Sequence, residues 1–374
     1  MPKEENILPS FPIKSLKIEN YKGIKSIELD NLPSNANWIF LTGENGYGKT
    51  TILQAIAEEL DSGDSGIFSN NKFKSKIDLH NKKDILFFRP YLSCYGSSRL
   101  NIATESSTQD YFPIKKLFVT KTLLKNIEYQ ISRWFYKREE YPEFQKKFDS
   151  VTTIIKQLLG VSKIEVDKDD NVWYYEEDLN GNEYKALQFK ELAAGYRNLL
   201  SMIGDMILQL FDSQTEVTDP KDLQGIVIID ELELHLHPKW QKKLPALLSE
   251  IFPRIQFIAS THSPIPLLGA PEHSVFIRVD RNAEEGITVT RLEELEKSIS
   301  NLLPNSILTS PIFGMSEIFP ITHNSEEGIN TQDFYGAIKV DQLVRDRVDE
   351  YMTPDKEKEL LDFLKSEEDK DDSQ

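Results

Sequence analysis

The sequence predicts an α/β fold built on one mixed sheet, and three stretches carry that prediction. The first is Gly43-Glu44-Asn45-Gly46-Tyr47-Gly48-Lys49-Thr50-Thr51, which fits G-x-x-x-x-G-K-[ST]. Trp38-Ile39-Phe40-Leu41 before it reads as a short buried strand, and Thr51 to Ala57 after it as a helix with an apolar stripe. The second is Ile226-Val227-Ile228-Ile229, four branched residues in a row. That is the pattern of a central parallel strand buried on both faces. The third is the run from Ile13 to about Leu41, which alternates polar and apolar and predicts an antiparallel edge beside the parallel strands.

The remaining elements follow in chain order. Lys14 to Tyr21 and Ile24 to Leu29 are half-exposed strands joined by a turn at Tyr21-Lys22-Gly23. Asp61 to Asn71 is rich in Gly, Ser and Asn and reads as a loop, and Ile85-Leu86-Phe87-Phe88 as a buried strand. Leu123 to Leu159 has helical spacing, with an aromatic stripe through Tyr129, Trp134, Phe135, Phe144 and Phe148. Packing between two helices explains the stripe better than a base-stacking surface does. Ile164 to Val166, Val172 to Tyr175 and Tyr184 to Leu187 suggest a small β-meander. Leu192 to Phe211 and Pro238 to Ile251 read as helices, the second with Pro in its first turn. Ile255 to Ala259 is the next strand, and Ser274 to Val279 with Ile287 to Thr290 a terminal hairpin.

Composition sets bounds. The chain has 374 residues and a formal net charge of −17, with an acidic tail from Ser366 to Gln374. Duplex binding is mostly phosphate neutralisation by Lys and Arg, so the charge argues against a whole-surface nucleic-acid footprint and leaves a local basic patch open. One cysteine, Cys94, allows no internal disulfide, and no apolar run approaches the roughly 20 residues that span a bilayer. The polar N-terminus lacks the core of a signal peptide. A soluble cytoplasmic protein without membrane contact is expected.

The chemistry gathers at the predicted C-terminal edge of the sheet. The loop's glycines let backbone N–H groups of Glu44, Asn45, Gly46, Tyr47, Gly48, Lys49, Thr50 and Thr51 face an anion, aided by the helix N-terminus. Lys49 suits the β- and γ-phosphates, and the Thr50 hydroxyl suits Mg2+. Asp230 would also hold Mg2+, and Glu231 would polarise the attacking water as general base, with Glu233 a rival base. His262, in Ser260-Thr261-His262-Ser263-Pro264, can sense a γ-phosphate. His235 and His237 alternate as zinc ligands sometimes do, but no cysteine or third ligand lies near, so zinc is not expected.

Taken in order, five pieces resemble the ATP-binding-cassette (ABC) ATPases, specifically the SMC/RecF/OLD-like branch with standalone heads. They are Ile18 to Gly23, Gly43 to Thr51, Ala194-Gly195-Tyr196-Arg197, Asp230 to Pro238, and Thr261 to Pro264. Gly195-Tyr196-Arg197 and Leu234-His235-Leu236-His237-Pro238 look most like the ATPases of bacterial anti-phage systems, the Septu and retron-associated type, and the heads of OLD nucleases. The resemblance covers most of residues 12 to 280.

It implies a P-loop NTPase fold of the ABC-ATPase head type, a mixed sheet with antiparallel N-terminal strands and a helical plus β-meander insert. The implied layout is an ATPase lobe over 1–99, the insert over 100–190, a second ATPase lobe over 191–300, and a C-terminal helical region with the acidic tail over 301–374. It implies ATP with Mg2+, Glu231 and His262 as the catalytic pair, and a homodimer or higher oligomer. In that ATP sandwich, Ala194, Gly195, Tyr196 and Arg197 of each head close the other's site. It further implies a separate effector, nuclease or toxin, regulated in anti-phage defence. Two alternatives are a RecF-like DNA-repair ATPase and a low-turnover ATP-dependent scaffold that sequesters a toxic partner. The chain departs from the family in two places. Tyr91 to Arg99 stands where the family has its Q-loop but contains no Gln, and the signature has Ala193 and Ala194 where Ser and Gly or Asp are usual.

Overall fold

The computed structural model describes residues 11–61, 74–80, 91–99, 101–103, 113–177, 182–302, 304–310 and 312–313. All lie in the first of the chain's two units, Met1–Ile318. The predicted strand at Ile85 to Phe88, most of the loop after Asp61, and nearly all of the C-terminal region with its acidic tail fall outside the described residues.

The strands are β1 Ile13–Tyr21, β2 Ile24–Leu29, β3 Trp38–Thr42, β4 Lys74–Leu79, β5 Leu92–Tyr95, β6 Lys163–Val166, β7 Val172–Tyr175, β8 Gly225–Ile229, β9 Ile255–Thr261, β10 Val275–Asn282 and β11 Gly286–Arg291. Nine of them form one sheet in the order β4-β1-β2-β11-β10-β3-β9-β8-β5. From β10 to β5 the pairing is parallel, and from β4 to β10 antiparallel. The predicted mixed sheet with an antiparallel edge is what forms.

The helices are α1 Lys49–Asp61, α2 Lys115–Phe118, α3 Ile127–Lys137, α4 Pro142–Leu159, α5 Ala194–Ser213, α6 Pro238–Ile251, α7 Glu293–Ser298 and α8 Pro304–Thr309. Period-two alternation sends the central strands' side chains into two separate cores. Ile39, Leu41, Ile226, Ile228 and Ile258 join Ile52, Leu53 and Ile56 of α1. Trp38, Phe40, Val227, Ile229 and Phe257 join α3, α4, α5 and α6 on the other face. Both faces are apolar, which is why Ile226 to Ile229 reads as an unbroken branched run. Trp38 stacks on Phe40 at 5.0 Å and on Phe257 at 4.6 Å.

The aromatic stripe resolves as helix packing except at Tyr129, which is exposed, and Phe135 meets Phe148 across the two helices at 5.6 Å. Ile131 and Trp134 are buried, while Phe144 and Phe148 lie half-buried against the same core. Two expectations need correction. The edge strand β4 was not foreseen, because Ile77 and Leu79 alone carry its alternation. The β-meander is a two-stranded hairpin, β6 with β7. Its third segment touches only through isolated bridges, Tyr174 to Leu187 and Glu177 to Glu183. Tyr184 and Lys185 are exposed and Leu187 alone of that segment packs on the core, so nothing holds a longer pairing.

Candidate active site

The loop between β3 and α1 is built by its glycines. Gly43, Gly46 and Gly48 all have positive φ, 139°, 81° and 103°. A Cβ on Gly43 would sit 2.4 Å from the Val279 carbonyl oxygen, and one on Gly48 2.3 Å from Ile287 Cδ1. Gly46 meets nothing, so only its φ demands glycine there. Lys49 is 8% exposed. Its Nζ donates to the carbonyls of Gly43 at 2.7 Å and Glu44 at 2.9 Å. Burial lowers its pKa, against the pull of Glu233, Asp230 and Glu231. A buried cation at the N-terminus of α1, on a glycine-built loop, suits phosphate. Glu44, Asn45 and Gly46 are exposed, the Tyr47 hydroxyl bonds Glu44, and Thr51 is half-buried on α1.

The parallel register carries the acidic turn to this loop. Ile229, the last residue of β8, pairs with Ala259 of β9. Asp230 and Ser260 therefore emerge side by side. Thr50 Oγ donates to Asp230 Oδ2 at 2.7 Å, and Ser260 Oγ to Asp230 Oδ1 at 2.5 Å. Thr50 and Asp230 are hard oxygen donors in mutual contact, the set that suits Mg2+ with phosphates completing the shell. Among the described residues no group of three or more His, Cys, Asp or Glu could hold a metal by itself. His237 instead caps α6, its Nδ1 accepting from Lys239 N at 3.3 Å.

Glu231 has φ 52°, a left-handed conformation that costs a non-glycine residue about 1–3 kcal/mol. Its N–H donates to Ser260 Oγ at 2.8 Å. Glu233 is 6% exposed, and its Oε1 accepts from the backbone N–H of His262 at 2.7 Å and from its Nδ1 at 2.6 Å. Among the described residues Glu233 Oε2 is buried and finds no hydrogen-bond partner. The structure thus brings Lys49, Thr50, Asp230, Glu231 and His262 to one sheet edge and adds Ser260 and Glu233 as their supports.

Arg99 is a second buried cation, 3% exposed, which the sequence reading passed over. Its Nη2 donates to the backbone carbonyls of Asp230 and Glu231, and its Nε to Gly96 O at 2.8 Å. Burial lowers its pKa to about 10, opposed by Asp230, Glu233 and Glu231. Only the missing Gln of the stretch from Tyr91 hinted that another residue serves there.

The signature residues open α5. Ala193 at its N-cap supplies no side-chain bond, leaving the first N–H groups of the helix to another acceptor. A Cβ on Gly195 would sit 2.8 Å from His235 O, so helix and turn approach closely. Tyr196 meets Trp240 edge-on at 5.8 Å, and Arg197 Nη1 donates to Lys190 O at 2.7 Å. Among the described residues no hydrogen bond or ion pair joins Ala194–Arg197 to the phosphate loop, Asp230, Glu231 or His262. No described helix is long and apolar enough to cross a membrane.

Comparison with known proteins agrees with the motifs. A family model described as "AAA domain, putative AbiEii toxin, Type IV TA system" matches residues 204–266, which include Asp230, Glu231 and His262. The chain is 28% identical over 352 residues to the Septu protein PtuA of Bacillus mycoides, covering 82% of this chain and 45% of that protein. It is 24% identical to the Septu protein PtuA of Bacillus thuringiensis, covering 78% of this chain and 84% of that one. To the Retron Vc95 probable ATPase of Vibrio cholerae it is 41% identical over 88 residues, 24% of this chain and 16% of that one. The chain thus spans less than half the length of the first relative. These similarities are to Septu proteins over most of this chain and to a probable retron ATPase over a shorter segment.

Proposed function

We propose that this chain is an ATPase that pairs head to tail around ATP and thereby regulates a separate effector in anti-phage defence. One observation carries the reading. Lys49, Thr50, Asp230, Glu231 and His262 converge on one sheet edge, while among the described residues Ala194–Arg197 make no hydrogen bond or ion pair to them. A helix N-terminus without a side-chain cap at Ala193 is an anion site in search of an anion. A second head, presented head to tail, would bring it to the phosphate.

Each residue then has a task. Lys49 exchanges its two loop carbonyls for phosphate oxygens. Thr50 and Asp230, in contact through one hydrogen bond, would hold Mg2+, which would supply charge neutralisation for the phosphates. Glu231 accepts the proton of the attacking water as the new P–O bond forms and the bond to ADP breaks. Glu233 holds Nδ1 of His262, leaving Nε2 for the γ-phosphate. The effector, a nuclease or toxin, would dock on the insert or the C-terminal region, and a cytoplasmic location goes with the reading.

Ala193 favours a second reading. Without a Ser hydroxyl for the partner's phosphate, closure could be slow, and the head would act as a low-turnover scaffold for a toxic partner. Phosphate release by the purified chain, with and without DNA, separates the two. Steady turnover supports the ATPase, and binding without turnover supports the scaffold. Turnover only with DNA would favour a RecF-like repair role and a local nucleic-acid patch.

A further inference from the structure

The stretch from Tyr91 to Arg99 contains β5 and runs from its end into the site without the expected Gln, and its buried guanidinium has no task in the phosphate chemistry. The bonds around Glu231 supply one. Two peptide planes flank the Glu231 Cα, and each is gripped at both ends. In the first, Arg99 Nη2 holds the Asp230 carbonyl, while the Glu231 N–H donates to Ser260 Oγ at 2.8 Å. In the second, Arg99 Nη2 donates to Glu231 O at 2.9 Å, and the Leu232 N–H donates to Ser260 O at 3.0 Å. Glu231 O also accepts from Leu234 N at 3.1 Å, inside the turn. Two fixed planes set both φ and ψ of the residue between them.

We propose that Arg99 is a positioning residue for hydrolysis, clamping the left-handed turn that aims Glu231. The inference rests on the reading of Glu231 as the base. Arg99 touches no reacting atom. A planar guanidinium is suited to the clamp, since its Nε is tied to Gly96 O at 2.8 Å while Nη2 spans two carbonyls. A lysine offers one flexible point charge and could not keep all three acceptors. The grip also reaches the signature helix, because Nη1 lies 3.6 Å from Met202 Sδ on α5.

Arg99→Lys and Arg99→Ala in the full chain test this by steady-state kinetics, ATP calorimetry and hydrogen exchange. In both, kcat should fall about 10- to 100-fold while nucleotide affinity stays within about threefold. Without nucleotide, the peptide from Ile228 to Leu236 should exchange faster than in the wild type, with α1 unchanged. Millimolar guanidinium should restore turnover to Arg99→Ala and not to Arg99→Lys. If Arg99→Ala does not fold, Arg99→Lys decides. Wild-type kcat and exchange in Arg99→Lys would overturn the clamp. So would affinity and turnover falling together, which would mark a general structural role. A wild-type chain that binds no ATP would instead overturn the ATPase reading, and the exchange result would still judge the clamp.

Discussion

Lys49 donates to two carbonyls of its own loop, so in the proposed reading phosphate binding there would be an exchange of partners around a cation already in place. Lys49→Ala removes that cation from a buried position, and ATP binding should vanish in calorimetry. Wild-type heats would refute the phosphate site. Glu231→Gln keeps the shape but loses the proton acceptor. It should bind ATP normally and turn over about 10²- to 10⁴-fold more slowly. Glu233→Gln offers a sharper comparison. Its Oε1 takes two N–H groups of His262, which an amide oxygen also accepts, but without the negative charge. A smaller loss than in Glu231→Gln is expected, and a larger one would make Glu233 the base. At this scale the sequence was readable where a residue type is tied to a local motif. Lys49 and Asp230 were found that way, and Ser260 was not, because nothing in its neighbours reveals that β9 sets it beside Asp230.

Among elements, α5 is joined to the sheet through Asp205. This fully buried carboxylate accepts from Tyr95 Oη at 2.7 Å, Lys125 N at 2.7 Å, Gln209 Nε2 at 2.8 Å and the Lys116 ammonium. Tyr95 is the residue whose carbonyl accepts from Asp230 N at 2.8 Å, so the network ends at the acidic turn. Asp205→Asn leaves Lys116 charged and buried without its counter-ion. Urea unfolding should register a loss of about 3–5 kcal/mol. A change well under that would mean that Lys116 reaches water. On α3, burial pushes the Glu128 carboxyl up from 4.5 to about 7, and the Tyr174 hydroxyl bonds it at 3.0 Å. The folded state then holds the proton where the unfolded chain releases it. This contribution is full below pH 4.5 and is lost as pH rises through about 7. Glu128→Gln should flatten the fall in melting temperature between those limits. An unaltered slope would assign it to other groups.

At the scale of the whole molecule, Ala194–Arg197 make no hydrogen bond or ion pair to their own phosphate loop among the described residues, and in the proposed sandwich a second copy would complete the site. Glu231→Gln with ATP and Mg2+ should therefore double in mass, or go higher, by light scattering, and return to the starting mass when ATP is withdrawn. A mass that ignores ATP, in a variant shown to bind it, would remove the sandwich.

The amino-acid sequence by itself determined the phosphate loop, the doubly buried strand before Asp230 and the antiparallel edge. For the loop and the buried strand the determining pattern fits within about ten neighbouring residues, and for the edge it is the alternation within each strand, where glycine conformation and strand periodicity are written locally. Tertiary structure alone decided the rest. Arg99 meets Glu231 across 132 positions of the chain, and Thr50 meets Asp230 across 180. Glu233 became the holder of His262 because the turn after β8 and the end of β9 lie side by side, 29 positions apart in sequence. Such contacts depend on strand order and register, which the long-range packing of two cores selects, and no local spacing encodes them.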